Sequence, residues 1–129
     1  MKQMQDEVYE SHWAFNAFMA GWKKRDWTQA RSAMQITANV FGYDEKALRD
    51  LLGQVRLKSW QITETREVTP VVQDVMTDVT FDINGIALEK RLTVRVVKEL
   101  AAFTPDERGT WGVAPLSVLT TRDREDAIV

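Results

Sequence analysis

The sequence contains no cysteine and a single histidine, His12, among its 129 residues. The lack of cysteine excludes disulfide bonds, thiolate nucleophiles and sulfur-ligated metal sites. A metal site would then depend on carboxylates, and these are scattered along the chain or paired across strands, so we expect no metal and no other cofactor. His12 lies on the apolar side of a predicted helix, and we interpret it as half-buried with one hydrogen bond.

Long apolar runs and dense clusters of one charge are also missing. No run of about eighteen apolar residues occurs, so we expect no membrane span in this chain. The 17 basic and 19 acidic residues nearly balance, and the longest basic run is Lys23 to Arg25, which argues against a nucleic-acid partner. The polar start, Met1 to Glu10, lacks the apolar core of a signal peptide. These features predict a soluble cytoplasmic protein, with an exported or anchored origin after removal of a signal as the alternative.

The first part of the chain has helical periodicity. Within residues 5–24, apolar side chains recur at three- and four-residue steps, which predicts a long amphipathic helix: Val8, Phe15, Met19 and Trp22. Asp26 is the N-cap of a second predicted helix of about four turns that ends at Gly42. Asp44 begins a short third helix, which we expect Gly53 to end in a left-handed conformation.

Beyond Gly53 the apolar period changes to two, and Asn84-Gly85 predicts a tight type I′ turn between two strands. The turn fixes a register in which one face of the hairpin is apolar and pairs Phe81 with Leu88, Thr77 with Leu92 and Val75 with Val94. The opposite face pairs Asp78 with Arg91 and Asp74 with Arg95. We interpret these two pairs as a ladder of ion pairs exposed to solvent.

Two further strands complete the predicted sheet. One extends from Arg56 to Val68, and the other from Trp111 to Thr121, after a loop at residues 104–109. The prediction is an α+β fold in which three N-terminal helices pack on a four-stranded antiparallel meander sheet. We expect residues 1–121 to form a single domain and residues 122–129 to form a loose, charged C-terminal tail.

The order of these elements resembles nuclear transport factor 2-like domains of the cystatin-like α+β type. The resemblance covers roughly residues 8–121 and includes the Lys24 to Trp27 junction between two helices, the long hairpin, and a last strand opened by Gly109 to Trp111. It implies a sheet curved around the first helix like a half-open cone, with a ligand cavity at the wide end. Another α+β sandwich with helices on one face of the same meander is the alternative.

Nine side chains are expected to line that cavity, because they lie on the first helix and on the strands that the resemblance places around it: His12, Phe15, Met19, Trp60, Gln73, Val75, Thr77, Leu92 and Val94. The chain also has five tryptophans. We interpret Trp22 and Trp27 as core residues. Trp13 and Trp60 lie off the main apolar set of their elements, which makes them candidates for contact with a cavity or a partner.

The resemblance extends to ketosteroid isomerases and polyketide cyclases, in which a cavity carboxylate opposes a tyrosine or a protonated acid. Here Tyr9 and Tyr43 lie near helix termini, and the inward face of residues 73–83 carries no carboxylate. We therefore expect no catalytic residue and favour a protein that is not an enzyme.

The resulting functional prediction is a non-catalytic module that binds a small apolar molecule or another protein. The outer sheet face, with Val72, Met76 and Val97 among charges, is interpreted as solvated or as the surface of a homodimer. One alternative is an isomerase or cyclase that uses His12 or an unrecognised carboxylate in the cavity. The other is a structural domain of a larger assembly, similar to domains of secretion or conjugation machinery.

Overall fold

The computed structural model describes residues 2–118, with side chains from residue 10 onward. The helices are α1 (Lys2–Lys24), α2 (Trp27–Ser32), α3 (Ile36–Val40) and α4 (Glu45–Leu52). The strands are β1 (Arg56–Thr69), β2 (Val72–Ile83), β3 (Ile86–Ala101), β4 (Thr104–Pro105) and β5 (Thr110–Val113), followed by a 3₁₀ helix at Pro115–Val118. The α+β prediction is confirmed. The predictions for residues 119–129, including the tail at 122–129, lie outside the described residues.

The sheet is antiparallel, with strand order β1-β2-β3-β4 and β5 also paired with β3. It has five strands in the described residues rather than four, because Thr104 and Pro105, predicted as loop, pair with Ala101 and Glu99 of β3. The last strand ends at Val113 instead of continuing through the predicted range, and a 3₁₀ helix begins at Pro115. Proline has no N–H to donate to a strand ladder, which explains the early end.

The β2–β3 hairpin confirms the predicted register at every pair named above. Asn84 and Gly85 have φ angles of 54° and 84°, the left-handed values that a type I′ turn requires. The Gly85 N–H donates to Asp82 Oδ1 at 2.8 Å. The turn residues and the alternation of the strands therefore specify this part of the fold locally.

The core lies between α1 and the inner face of the sheet. Phe15, Phe18 and Met19 of α1 are fully buried, as are Val75 and Val94 of the hairpin. Trp22 and Trp27 are also buried, as predicted, at 3% and 9% exposure. Among the helices in residues 2–118, none combines the length and apolar character that crossing a membrane requires.

The prediction of one four-turn second helix is wrong, because the segment divides into α2 and α3. Between them the backbone bonds to β5: the Gln35 N–H donates to the Val113 carbonyl at 3.0 Å, and the Val113 N–H donates to the Ala33 carbonyl at 2.8 Å. The carboxylate of Glu99 in β3 then accepts the Thr37 N–H at 2.9 Å at the start of α3. Partners distant in the sequence thus replace the hydrogen bonds of a continuous helix.

The predicted N-caps are confirmed, since Asp26 accepts from the Gln29 N–H and Asp44 from the Ala47 N–H. The expected left-handed conformation of Gly53 is wrong, because its φ is −69°. A Cβ at this position would lie 2.4 Å from the Arg49 carbonyl oxygen. Glycine is therefore required here because the preceding turn of α4 leaves no room for a side chain, and not because the backbone has a positive φ.

The predicted exposure of both hairpin ion pairs is correct for one pair and wrong for the other. The side chains of Asp78 and Arg91 are 49% and 67% exposed. Asp74 is fully buried, and the side chain of Arg95 is only 11% exposed. At this end the chain after β5 binds to β3, where the Arg95 N–H donates to Ser117 Oγ at 2.9 Å. This packing comes from residues that the hairpin pattern does not contain.

Candidate functional site

Seven of the nine predicted cavity residues are buried, at 0–4% exposure: Phe15, Met19, Gln73, Val75, Thr77, Leu92 and Val94. The polar groups among them are used by the fold. Gln73 Oε1 accepts from Ser11 Oγ at 2.5 Å, and Thr77 Oγ1 donates to the Gln61 carbonyl at 2.9 Å. The structure shows these residues buried in the core, and Leu92 also lines a small cavity beside the hairpin. That they line one ligand cavity together stays a prediction.

The other two, His12 and Trp60, are half-buried. His12 Nε2 lies 2.5 Å from Thr65 Oγ1, and burial lowers the pKa of His12, which favours the neutral imidazole. Trp60 Nε1 donates to Asn16 Oδ1 at 2.9 Å. In the part of the chain that the structure describes, neither ring forms a hydrogen bond with a carboxylate, and no three acidic or histidine side chains form a group that would hold a metal.

A surface groove of about 610 Å³ lies between α1, the end of α2 and the start of β5. We call it the α1–β5 groove. Its volume falls within the range of about 300–1,000 Å³ that is typical of small-molecule sites. It is lined by Glu10, Trp13, Ala14 and Ala17 of α1, by Ser32 and Ala33, and by Gly109, Thr110 and Trp111.

The α1 side of this groove follows directly from the sequence. Glu10, Trp13, Ala14 and Ala17 are spaced by three and four residues, so they lie on one face of the helix. Small side chains at the alanines leave the volume of the groove open between two large indoles. Gln29 Nε2 donates to the Ala17 carbonyl at 3.0 Å and holds α2 against this part of α1.

The two indoles of the groove differ in exposure. Trp111 is 6% exposed and forms a packed wall, and the Lys98 ammonium lies over its ring at 5.8 Å from the centroid. Trp13 is 72% exposed, although indole is one of the largest apolar groups that a protein can bury. The groove therefore has a buried aromatic wall and an aromatic rim that is open to solvent.

The chemistry of the groove suits binding better than proton transfer. Glu10 is the only titratable side chain among the described residues that line it. Acid–base catalysis needs a positioned group to give or take a proton beside a second group that stabilises charge, and a single carboxylate at the rim does not supply both. The carboxylate and the Ser32 and Thr110 hydroxyls supply hydrogen-bond acceptors around an otherwise apolar surface.

The sequence identified Trp13 as a candidate for cavity or partner contact but did not identify the groove. The Glu10 to Ala17 spacing was a usable signal for the α1 wall. The other wall depends on β5 lying beside α1, which no local pattern reveals. Comparison with known proteins adds no relative, since no family model matches the chain and neither a curated protein nor a solved structure matches it significantly.

Proposed function

We propose that the protein is a non-catalytic binding module whose ligand site is the α1–β5 groove. The observation that carries the proposal is Trp13, which remains 72% exposed at the rim of an apolar groove. A ligand that covers such a ring gains on the order of 1–3 kcal/mol from burial and aromatic contact.

The ligand class follows from the lining. The indole of Trp13 and the alanine surface favour a compact aromatic molecule, because a flat ring has apolar contact on both faces. Glu10 at the rim favours a ligand with a positive charge or a hydrogen-bond donor. We therefore assign the groove to a small aromatic molecule that carries an amine or a similar donor.

Calorimetric titration with three naphthalene derivatives tests this assignment. We expect 1-naphthylmethylamine to bind more tightly than 1-naphthylmethanol, and 1-naphthylacetate to bind most weakly. Trp13→Ala should weaken amine binding about tenfold, which corresponds to ~1.4 kcal/mol. Phe41→Ala is the matched control, because Phe41 is 56% exposed and lies outside the groove.

A second substitution separates loss of a contact from loss of the site. Ala17→Leu adds volume inside the groove and should abolish binding of all three probes. Equal affinity of the three probes for the wild-type protein would refute the role of Glu10. Unchanged binding by both Trp13→Ala and Ala17→Leu would refute the groove itself.

Interaction with another protein is the second candidate, and a different surface favours it. Phe41 and Phe103 are 56% and 60% exposed, and their rings meet edge to face at 5.8 Å. Phe103 has a φ of 59°, which is unfavourable for a bulky residue. Phe103→Gly should therefore preserve the fold. If this surface binds a second copy of the chain, the substitution should also remove the self-association of the wild-type protein in analytical ultracentrifugation.

The homodimer through the outer sheet face also stays a prediction. Part of that face is already covered within the chain, because Asp74 is fully buried and Val97 is 7% exposed. If the face forms a dimer, its contact lies toward Asp78, and charge reversal there should dissociate it.

We further propose that the fold belongs to the nuclear transport factor 2-like group. Its support is the order of helices before a long antiparallel hairpin and the packing of α1 against the inner sheet face. The register of β1 against β2 shifts at three places, and such bulges bend a strand. An experimental structure with a flat sheet would contradict this proposal without affecting the groove.

A further inference from the structure

A second cavity lies between α4 and the turn end of the β2–β3 hairpin, and it shares no lining residue with the α1–β5 groove. Its volume is about 240 Å³, and we call it the hairpin-tip cleft. Its described lining is apolar apart from one lysine, and it includes two buried aromatic rings and three aliphatic side chains near the surface: Trp22, Phe81, Leu51, Ile83, Leu88 and Lys90.

The aliphatic residues of the cleft are incompletely covered by the fold. Leu51 is 36% exposed, Ile83 is 42% exposed and Leu88 is 43% exposed. The register places Ile83 and Leu88 on the same face as the buried Phe81. The apolar face of the hairpin therefore continues beyond the part that the helices cover.

Among the described residues that line the cleft, Lys90 is the only one with a charged side chain. It stands opposite Val79 in the hairpin register, on the apolar face. In residues 10–118 it forms no salt bridge with a carboxylate. A lysine at such a site packs its aliphatic stem on the apolar surface and holds its ammonium at the edge.

We propose that the hairpin-tip cleft binds a soluble, single-chain aliphatic carboxylate. The chain occupies the apolar cleft, and the carboxylate pairs with the Lys90 ammonium. The argument for an anion is charge complementarity, because the lining residues that the structure describes supply one positive charge and no negative one. The volume is below the ~300 Å³ at which typical ligand sites begin, so it suits one short chain rather than the two chains of a membrane lipid.

Titration calorimetry of the full chain with octanoate, octanol and octylamine, each below its micelle-forming concentration, tests the proposal. We expect octanoate to bind most tightly. Lys90→Gln should weaken octanoate binding about threefold to tenfold and leave octanol binding unchanged, because only the ion pair is lost. Lys58→Gln is the matched control, since Lys58 is exposed on β1 and does not line the cleft.

Three outcomes would each overturn the proposal: no binding of octanoate, equal affinity for the three compounds, or an equal loss of octanoate affinity in Lys90→Gln and Lys58→Gln. Binding to vesicles of anionic phospholipid without binding to octanoate would also overturn it, in favour of a membrane surface. Trp13→Ala should leave octanoate binding intact, and a loss in that variant would contradict the location of the site. A negative result for the hairpin-tip cleft can therefore be distinguished from a negative result for the α1–β5 groove.

Discussion

The β2–β3 hairpin carries two ion pairs of the same kind in different surroundings. Asp78 and Arg91, in the middle of β2 and facing it on β3, are exposed to solvent, whereas Asp74 is fully buried beside Arg95 closer to the open end of the hairpin. Both pairs follow from one register, and both occupy the same face of the hairpin. The difference teaches that register determines which side chains meet, while burial depends on segments that pack on the hairpin from elsewhere in the chain.

The largest expected effect in this comparison is at the buried pair. Asp74→Ala removes the fully buried carboxylate that lies 3.0 Å from Arg95 Nε and 3.4 Å from Arg66 Nη2, and so breaks a largely buried ion pair. We expect the free energy of unfolding to fall by about 3–5 kcal/mol, measured by urea denaturation. A loss below ~1 kcal/mol would show that the pair is solvated and that the two ion pairs of the hairpin do not differ.

A second buried carboxylate extends the comparison to the helices. Glu99 is 3% exposed, and besides the Thr37 N–H it accepts hydrogen bonds from Thr37 Oγ1 and from Gln35 Nε2. Glu99→Ala should lower the free energy of unfolding by roughly 2–3 kcal/mol. Amide hydrogen exchange should accelerate selectively in α3, where the cap is lost. Glu107→Ala, at an exposed position of the nearby loop, is the control, and a similar effect in both variants would contradict the role of Glu99.

The exposed pair, Asp78 and Arg91, should contribute far less to the free energy of unfolding. The hydrogen bond from Arg91 lowers the pKa of Asp78, so the pair stabilises the fold above the usual aspartate pKa and this contribution is lost as the pH falls. Asp78→Ala should shift the urea midpoint only slightly at pH 7, and high salt should remove the shift by screening. A salt-independent shift as large as that of Asp74→Ala would contradict the account.

The smallest effect is expected at His12. Burial lowers its pKa in the folded protein below the ordinary histidine value of about 6.5, so the unfolded chain binds more protons as the pH falls below that value. Its contribution to stability is complete above pH 6.5 and declines below it. The difference in unfolding free energy between the wild-type protein and His12→Gln should therefore decrease between pH 7.5 and pH 5. A constant difference would indicate an unshifted pKa.

The sequence was sufficient to predict the structure where residues close together in the chain determine it. Asn84 and Gly85 specify the turn, and Asp26 and Asp44 cap helices through residues three positions away. It was insufficient where residues distant in the chain determine the structure. The break before α3 is an example, because it depends on Val113 and on the carboxylate of Glu99 in β3. The candidate site divides in the same way, because the α1 wall is visible in the spacing of Trp13 and Ala17, while the wall at Trp111 appears only in the folded chain.

The five tryptophans provide a direct test of where a ligand binds, since they lie in different parts of the fold. In ¹H–¹⁵N spectra recorded during titration with 1-naphthylmethylamine, we predict that the indole N–H signals of Trp13 and Trp111 shift. The signals of Trp22, Trp27 and Trp60 should remain in place, because these residues do not line the α1–β5 groove. A shift of the Trp60 signal with Trp13 and Trp111 unchanged would contradict the account and place the ligand in the interior cavity that the sequence predicts.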